Sequence, residues 1–426
     1  MGNVAPGRLG HEIEIRSVTE EELPDWDRAI ARGFLRPHLD SGLEWRRLNF
    51  EPGRTLGAFD TSAEGRCVAT FRSFDTELTV PGGAGLPVDA ITSVTVTATH
   101  RRRGLLTAMM DRDLAAARER GSAAAILIAA EYNIYGRYGF GPVTEAQGLR
   151  VSLPQSGGLR ADLPLPDGGR IDFVDMAELR KLGSELHERW RRLQPGAIGR
   201  NEPWWRVHTG DATLPGFDWK EPFAALHRDA DGQVTGLITY TVNDDWDGNR
   251  PDCTLTVRDH LALDRPTANA LWQLVFSVDW VRTVLVENLA PDDPLPLLLR
   301  DPRGVRPADE VGDFTWLRLL DVPAAFAARS YPAAGRLVLE VADRAGYAAG
   351  RWALETTPDG TGRCVPTTDE PDLALTAARL AELYLGTGSA TRLAAADLLT
   401  ELRPGAAATA DLLLRTPQQS WNPDSF

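Results

Sequence analysis

The stretch Val94-Thr95-Val96-Thr97-Ala98-Thr99-His100-Arg101-Arg102-Arg103-Gly104-Leu105-Leu106 restricts the fold more than any other part of the chain. Its first part belongs to Ile91–Thr97, where Ile91, Val94 and Val96 stand among Thr and Ser, and β-branched residues of this kind suit a pleated strand. Thr99–Gly104 breaks the pattern. From Leu105 the apolar residues Leu105, Leu106, Met109, Met110, Leu114 and Ala117 recur at helical spacing until Gly121 ends the run. A strand is thus joined to a helix by a basic turn that closes on glycine. Upstream, Gly57–Phe59 and Cys67–Leu78 read as a hairpin about Asp60–Arg66; downstream, Ala123–Ala130 is an apolar run short enough for a buried strand. Strands and helices in this order predict an α/β layered unit.

The opening amides of such a helix lack intrahelical acceptors, and the helix dipole adds positive potential there. Glycine lets a ligand approach the backbone closely, so the turn suits a pyrophosphate, and neighbouring arginines add charge-assisted hydrogen bonds. R-x-x-G alone would equally describe a solvated basic turn. With the strand before it, the amphipathic helix after it and the aromatic, glycine-rich Ile134–Gly141 downstream, the elements of a coenzyme A cradle are present.

The 426 residues leave room for two or three domains. Ser156–Gly169, rich in Gly, Pro and Asp, reads as a linker. A second α/β unit begins near Arg170 and echoes the first, with a hairpin at Ala224–Val242, a strand at Thr254–Leu263 and a helix at Thr267–Asp279. Between that strand and helix stands Asp264-Arg265-Pro266, so the echo lacks the basic glycine loop. A third segment starts near Trp316, with strand signals at Leu337–Val341, Trp352–Glu355 and Arg363–Pro366, helix-like runs at Thr376–Leu385 and Thr391–Leu402, and a polar tail that ends in Phe426.

Charge narrows the partners. Against 46 basic residues stand 60 acidic ones, a net −14, which weakens attraction to nucleic acid or anionic membrane and is compatible with cationic ligands. No apolar run approaches a membrane span, and the start lacks a signal peptide's apolar core, so a cytoplasmic protein is expected. Cys67, Cys253 and Cys364 are odd in number and far apart, which fits buried small hydrophobes, and the scattered histidines show no metal-binding spacing. No metal is expected.

Val94–Leu106 together with Ile134-Tyr135-Gly136-Arg137-Tyr138-Gly139-Phe140-Gly141-Pro142 resembles the GNAT acyl-CoA N-acetyltransferases. More closely, the chain resembles the Eis (enhanced intracellular survival) family of actinobacterial aminoglycoside acetyltransferases, a likeness extended by Leu383-Tyr384-Leu385-Gly386, Leu393-Ala394-Ala395-Ala396 and the terminal Phe426. The resemblance implies an α/β (α+β) architecture in three parts: a catalytic GNAT domain at 1–155, a degenerate GNAT-like domain at 170–312, and a sterol-carrier-like domain at 313–426. It further implies acetyl-CoA as cosubstrate, a multi-amine acceptor such as an aminoglycoside or a lysine side chain, and a homohexamer. The competing expectation is a noncatalytic protein that binds acyl-CoA or an apolar ligand on the same scaffold.

The resemblance also assigns roles. Backbone groups of Val94, Thr95 and Val96 would contact the pantetheine arm and acetyl carbonyl; Arg102, Arg103, Gly104, Leu105, Leu106 and Thr107 would hold the pyrophosphate; Ala130 and Glu131 would line the same cleft. Tyr135 would protonate the departing thiolate, for which a phenol with a reference pKa of about 10 is suited. From the residues alone, Tyr135 reads rather as a packed aromatic with its hydroxyl satisfied, and Tyr132 and Tyr138 as core or rim residues; the family motif reverses the reading for Tyr135. The α-carboxylate of Phe426 would act as base, though its reference pKa of about 3.3–3.7 suits it better to anchoring the ammonium and taking its proton through water. Asp25, Asp27, Asp40, Glu44 and Asp424 are candidate acids for the amine, and Phe34 and Trp45 candidate walls. Phe34-Leu35-Arg36-Pro37 sets a cation where a carboxylate would suit an aminoglycoside.

Overall fold

The structure is a computed structural model that describes residues 13–39, 42–212 and 219–426. Asp40 lies outside the described residues. The first sheet contains β1 (Ile13–Ser17), β2 (Thr55–Asp60), β3 (Arg66–Thr79), β4 (Gly85–Val96) and β5 (Ala124–Ile128) in that spatial order, followed by Thr315–Leu319 and Gly141–Pro142. Only β4 and β5 run parallel, because the helix α3 (Leu105–Glu119) crosses between them; the other neighbours are antiparallel. α3 covers one face of the sheet, where Ser73 of β3 donates to Asp113 at 2.6 Å. The alternation of a strand turns Thr70, Arg72 and Phe74 to the other face, the side of α1 (Leu23–Gly33), which α2 (Gly42–Leu48) follows in the chain.

The second sheet runs Val305–Pro307, Glu145–Ser152, Val281–Leu289, Cys253–Ala262, Val234–Val242, Phe223–Arg228, Arg170–Phe173. The expected hairpin, strand and helix of the echo are all present, the helix as Arg265–Phe276. Its start differs from that of α3 in a decisive way. The Asp264 carboxylate accepts from the Thr267 amide at 2.8 Å, so the chain fills its own helix N-terminus with a negative charge. The third sheet runs Gly362–Pro366, Gly350–Thr356, Gly335–Ala342, Leu373–Thr376, Leu399–Glu401. One apolar core joins it to the first sheet, with Leu78, Leu86 and Val88 packed among Leu317, Leu337, Leu380 and Tyr384.

The expected boundaries at 155 and 313 do not coincide with the sheets. Glu145–Ser152 pairs with Val281–Leu289 in the second sheet, and Thr315–Leu319 pairs with β5 in the first. All five residues of Thr315–Leu319 are buried, which requires a strand covered on both faces rather than one opening a new layer. The helix expected over Thr391–Leu402 ends at Ala395; Asp397 takes a left-handed φ of 56°, and Leu399–Glu401 continues as a strand against Leu373–Leu375. The three cysteines are buried and free. Among the described residues no helix is long and apolar enough to cross a membrane, and no group of three or more His, Cys, Asp or Glu side chains is placed to hold a metal ion.

Candidate active site

β4 and β5 pair from Val88 and Ala124 to Ile91 and Leu127 and no further. β4 continues to Val96 with β3 alone beside it. At the point of divergence β4 holds two residues, Ser93 and Val94, opposite the single Phe71 of β3, which is a β-bulge. Ser93 takes a φ of 54°, and its carbonyl accepts from the Thr70 hydroxyl at 2.8 Å. The bulge re-aims the backbone of Val94–Val96, and the lost partner strand leaves that edge of β4 open to a ligand. Neither the bulge nor the divergence had a local sequence signal beyond Ser93 itself.

Beyond the strand, His100 Nε2 lies 3.1 Å from Asp60 Oδ2 and ties the basic turn back to β2. Arg102 and Gly104 both adopt left-handed backbone, with φ of 64° and 83°. Gly104 is the N-cap of α3, and no side chain caps the helix, so the amides of Leu105, Leu106 and Thr107 keep their donors for an anion. The helix of the second unit, capped by Asp264, lacks this open start.

These elements enclose a cleft of about 1290 Å³ whose walls include Val94, Thr95, Val96, Arg102, Gly104, Leu105, Leu106, Thr107, Ala130, Glu131 and Tyr135. The arrangement fits an elongated ligand with an anionic group at the helix start and a polar chain along the open strand edge. Arg103 is exposed, and neither it nor Phe426 lines this cleft.

Tyr135 is the last residue of the short helix α4 (Tyr132–Tyr135). It is 8% exposed and meets Phe140 edge-on at 6.2 Å. Burial, reinforced by Tyr138 and Glu131, pushes its hydroxyl up to about 12, so the phenol holds its proton at neutral pH. Its side chain lines the cleft. Its neighbours are otherwise engaged: the Tyr138 hydroxyl bonds to Thr107 at 2.9 Å, and Tyr132 is 55% exposed with its ring edge-on to Trp316.

Phe34, expected as a wall, lines the cleft, whereas Gly33 beside it and a second wall were missed from the sequence. Gly33, at the end of α1, faces Thr95; a Cβ there would stand 2.3 Å from that of Thr95, so only glycine permits the approach. The other wall is the loop Asp343–Tyr347 of the third unit. It is held by Asp343, which accepts two bonds from buried Arg318 at 2.9 and 2.8 Å and also receives the amides of Ala345 and Ala348. Arg318 belongs to the strand lent to the first sheet, so that exchange also brings this loop to the cleft.

Phe426 sits on the α1 face of the first sheet, its ring edge-on to Phe74 at 6.0 Å. Arg72, stacked over Phe74 at 5.1 Å, lies between Phe74 and Thr70 on that face. Burial and the charge of Arg46 push the Arg72 guanidinium down to about 10. The candidate acids are largely committed: Asp25 accepts the Cys67 amide, Asp27 pairs with Arg46 and His38, and Asp424 with Arg200.

Comparison with known proteins agrees with this geometry. Residues 14–143 and 196–319 each match an acetyltransferase (GNAT) domain family, and residues 322–423 match the sterol carrier protein domain. An uncharacterized N-acetyltransferase of Streptomyces avermitilis is 50% identical, with 97% of this chain and 99% of the relative covered. N-acetyltransferase Eis of Mycobacterium tuberculosis is 33% identical over 91% of this chain and 93% of its own length. The crystal structure of Eis1 from Mycobacterium abscessus superposes with a TM-score of 0.83 at 31% identity, covering 97% of this chain and 100% of that one. With two GNAT domains, the second lacking an open helix start, and a sterol-carrier-like domain in sequence, the chain is an acetyltransferase and belongs to the Eis family of GNAT N-acetyltransferases.

Proposed function

We propose that the chain transfers the acetyl group of acetyl-CoA to a primary amine of a multi-amine substrate, such as an aminoglycoside, or of a lysine side chain. The observation that carries this reading is the sharing of one cleft by an uncapped helix start, an open strand edge and a buried neutral phenol. Diphosphate oxygens would take the amides of Leu105–Thr107 with Arg102 beside them, and the pantetheine arm would complete the open edge at Val94–Val96. The neutral amine attacks the thioester carbonyl, the tetrahedral intermediate collapses with cleavage of the C–S bond, and Tyr135 gives its proton to the leaving thiolate. The α-carboxylate of Phe426 receives the proton lost by the ammonium, directly or through water. The reading extends to a cytoplasmic homo-oligomer, hexameric by family likeness, and to antibiotic resistance where the acceptor is an aminoglycoside.

A thiol-release assay with acetyl-CoA and a panel of aminoglycosides, polyamines and lysine peptides tests it. Release above the hydrolysis background with at least one amine is the expected result. Acetyl-CoA binding without release across the panel would favour a noncatalytic acyl-CoA binder.

A further inference from the structure

The last residues of the chain are held in part by the central unit, the one without an open cofactor loop, while Ser420 Oγ donates to the Leu385 carbonyl at 2.7 Å and Asn422 Nδ2 to Thr315 Oγ1 at 3.1 Å. The Trp421 amide donates to the Pro195 carbonyl at 2.8 Å, its indole Nε1 to Asn288 Oδ1 at 2.7 Å, and its ring meets Trp190 edge-on at 6.0 Å. Gly196 lies so close that a Cβ would stand 2.8 Å from the Trp421 nitrogen. Asn288 Nδ2 then donates to the carbonyls of Asn422 and Pro423 at 3.3 and 3.1 Å. At the end of this track Arg200 Nε donates to both oxygens of Asp424 at 3.0 Å each, while Arg200 Nη2 reaches Asp259 Oδ1 at 2.6 Å. The guanidinium is stacked on Trp204, 3.8 Å from the ring centroid. Asp259 and Asp424 hold the charge of Arg200 against its burial.

Phe426 follows Asp424 by two residues, a reach of about 7 Å. Its carboxylate is therefore located by two fixed points, Asp424 in the central unit and the Phe426 ring on Phe74 in the first. We propose that Arg200, oriented by Asp259, is a positioning residue for the chain-terminal carboxylate, and that the central unit thereby helps to hold the tail on the α1 face of the first sheet. This rests on the reading of the Phe426 carboxylate as the proton acceptor. Asn422 also ties the Asp424 backbone, accepting its amide at 3.1 Å and donating to its carbonyl at 2.9 Å, so losing the Arg200 pair loosens the last side-chain anchor before the Phe426 ring; a shift of the carboxylate by about an ångström can lower turnover by about a hundredfold.

The test is a double-mutant cycle on the full chain between Asp424→Asn and an extension of two residues after Phe426. Asp424→Asn keeps the side-chain shape and leaves Arg200 paired with Asp259, so the buried cation retains a counter-charge. The expected result is a fall in kcat of about tenfold to a hundredfold, an acetyl-CoA KM unchanged within about twofold, and a changed pH dependence of kcat/KM for the amine. The extension should abolish most activity, and adding Asp424→Asn to it should lower the rate no further, because both act through one carboxylate. Full activity of the extended chain would overturn the reading of Phe426, and the proposal with it. An inactive extended chain beside a fully active Asp424→Asn variant would overturn the proposal alone. So would multiplicative losses, or a loss shared equally with acetyl-CoA binding, since those describe a fold contact. Should Asp424→Asn fail to fold, Arg200→Lys, which keeps the cation and removes the fork, takes its place under the same criteria.

Discussion

Tyr132, Tyr135 and Tyr138 follow one another at intervals of three, and their spacing alone does not distinguish them. Environment does. Tyr138 has spent its hydroxyl on Thr107, Tyr132 is turned out against Trp316, and Tyr135 is buried at the cleft wall with its proton held up to about 12. Tyr135 was legible only through its family motif, because desolvation is a property of everything packed round a residue and leaves no local trace. On the proposed role, the phenol stays loaded through the neutral range. Turnover should therefore show no downward limb from Tyr135 ionisation between about pH 6 and 9, and a kcat–pH profile at saturating amine checks this. The same shift has a stability consequence. An unfolded tyrosine ionises near pH 10 and the folded one near 12, so this group adds stability below about pH 10 that is lost as pH rises through about 12.

At the scale of elements, the two helix starts make the most direct comparison in the molecule. Arg101–Gly104 leaves the amides of α3 without a side-chain cap, whereas Asp264 caps its own helix at 2.8 Å. Both were readable from the sequence because capping is decided within four residues. The bulge at Ser93 and the early end of β5 were not, since strand pairing depends on residues far apart in the chain. Gly104 stands in left-handed backbone at φ 83°, where a side chain costs about 1–2 kcal/mol. Gly104→Ala should relieve that strain by shifting the turn. Its acetyl-CoA KM should then rise by about tenfold, equivalent to about 1.4 kcal/mol, with a smaller change in kcat, as steady-state kinetics would register.

At the scale of the whole molecule, three units were legible but their edges were not. Glu145–Ser152 leaves the first segment for the second sheet and Thr315–Leu319 leaves the third for the first sheet, whereas a reading along the chain assigns each to the segment it stands in. The crossing couples cleft and third unit through Arg318 and Asp343, which are 0% and 3% exposed at the side chain. Arg318→Met leaves the Asp343 carboxylate buried without its cation and should cost about 3–5 kcal/mol in urea unfolding. It should also raise the acetyl-CoA KM by loosening the Asp343–Tyr347 wall. The proposed mechanism places acetyl transfer in this one cleft with Tyr135 as the proton donor. Tyr135→Phe, compared with wild type for kcat and for acetyl-CoA affinity by calorimetry, tests that claim most directly. If Tyr135 is the donor, kcat falls about a hundredfold or more while the affinity changes by less than about threefold; an unchanged kcat would rule Tyr135 out as the donor.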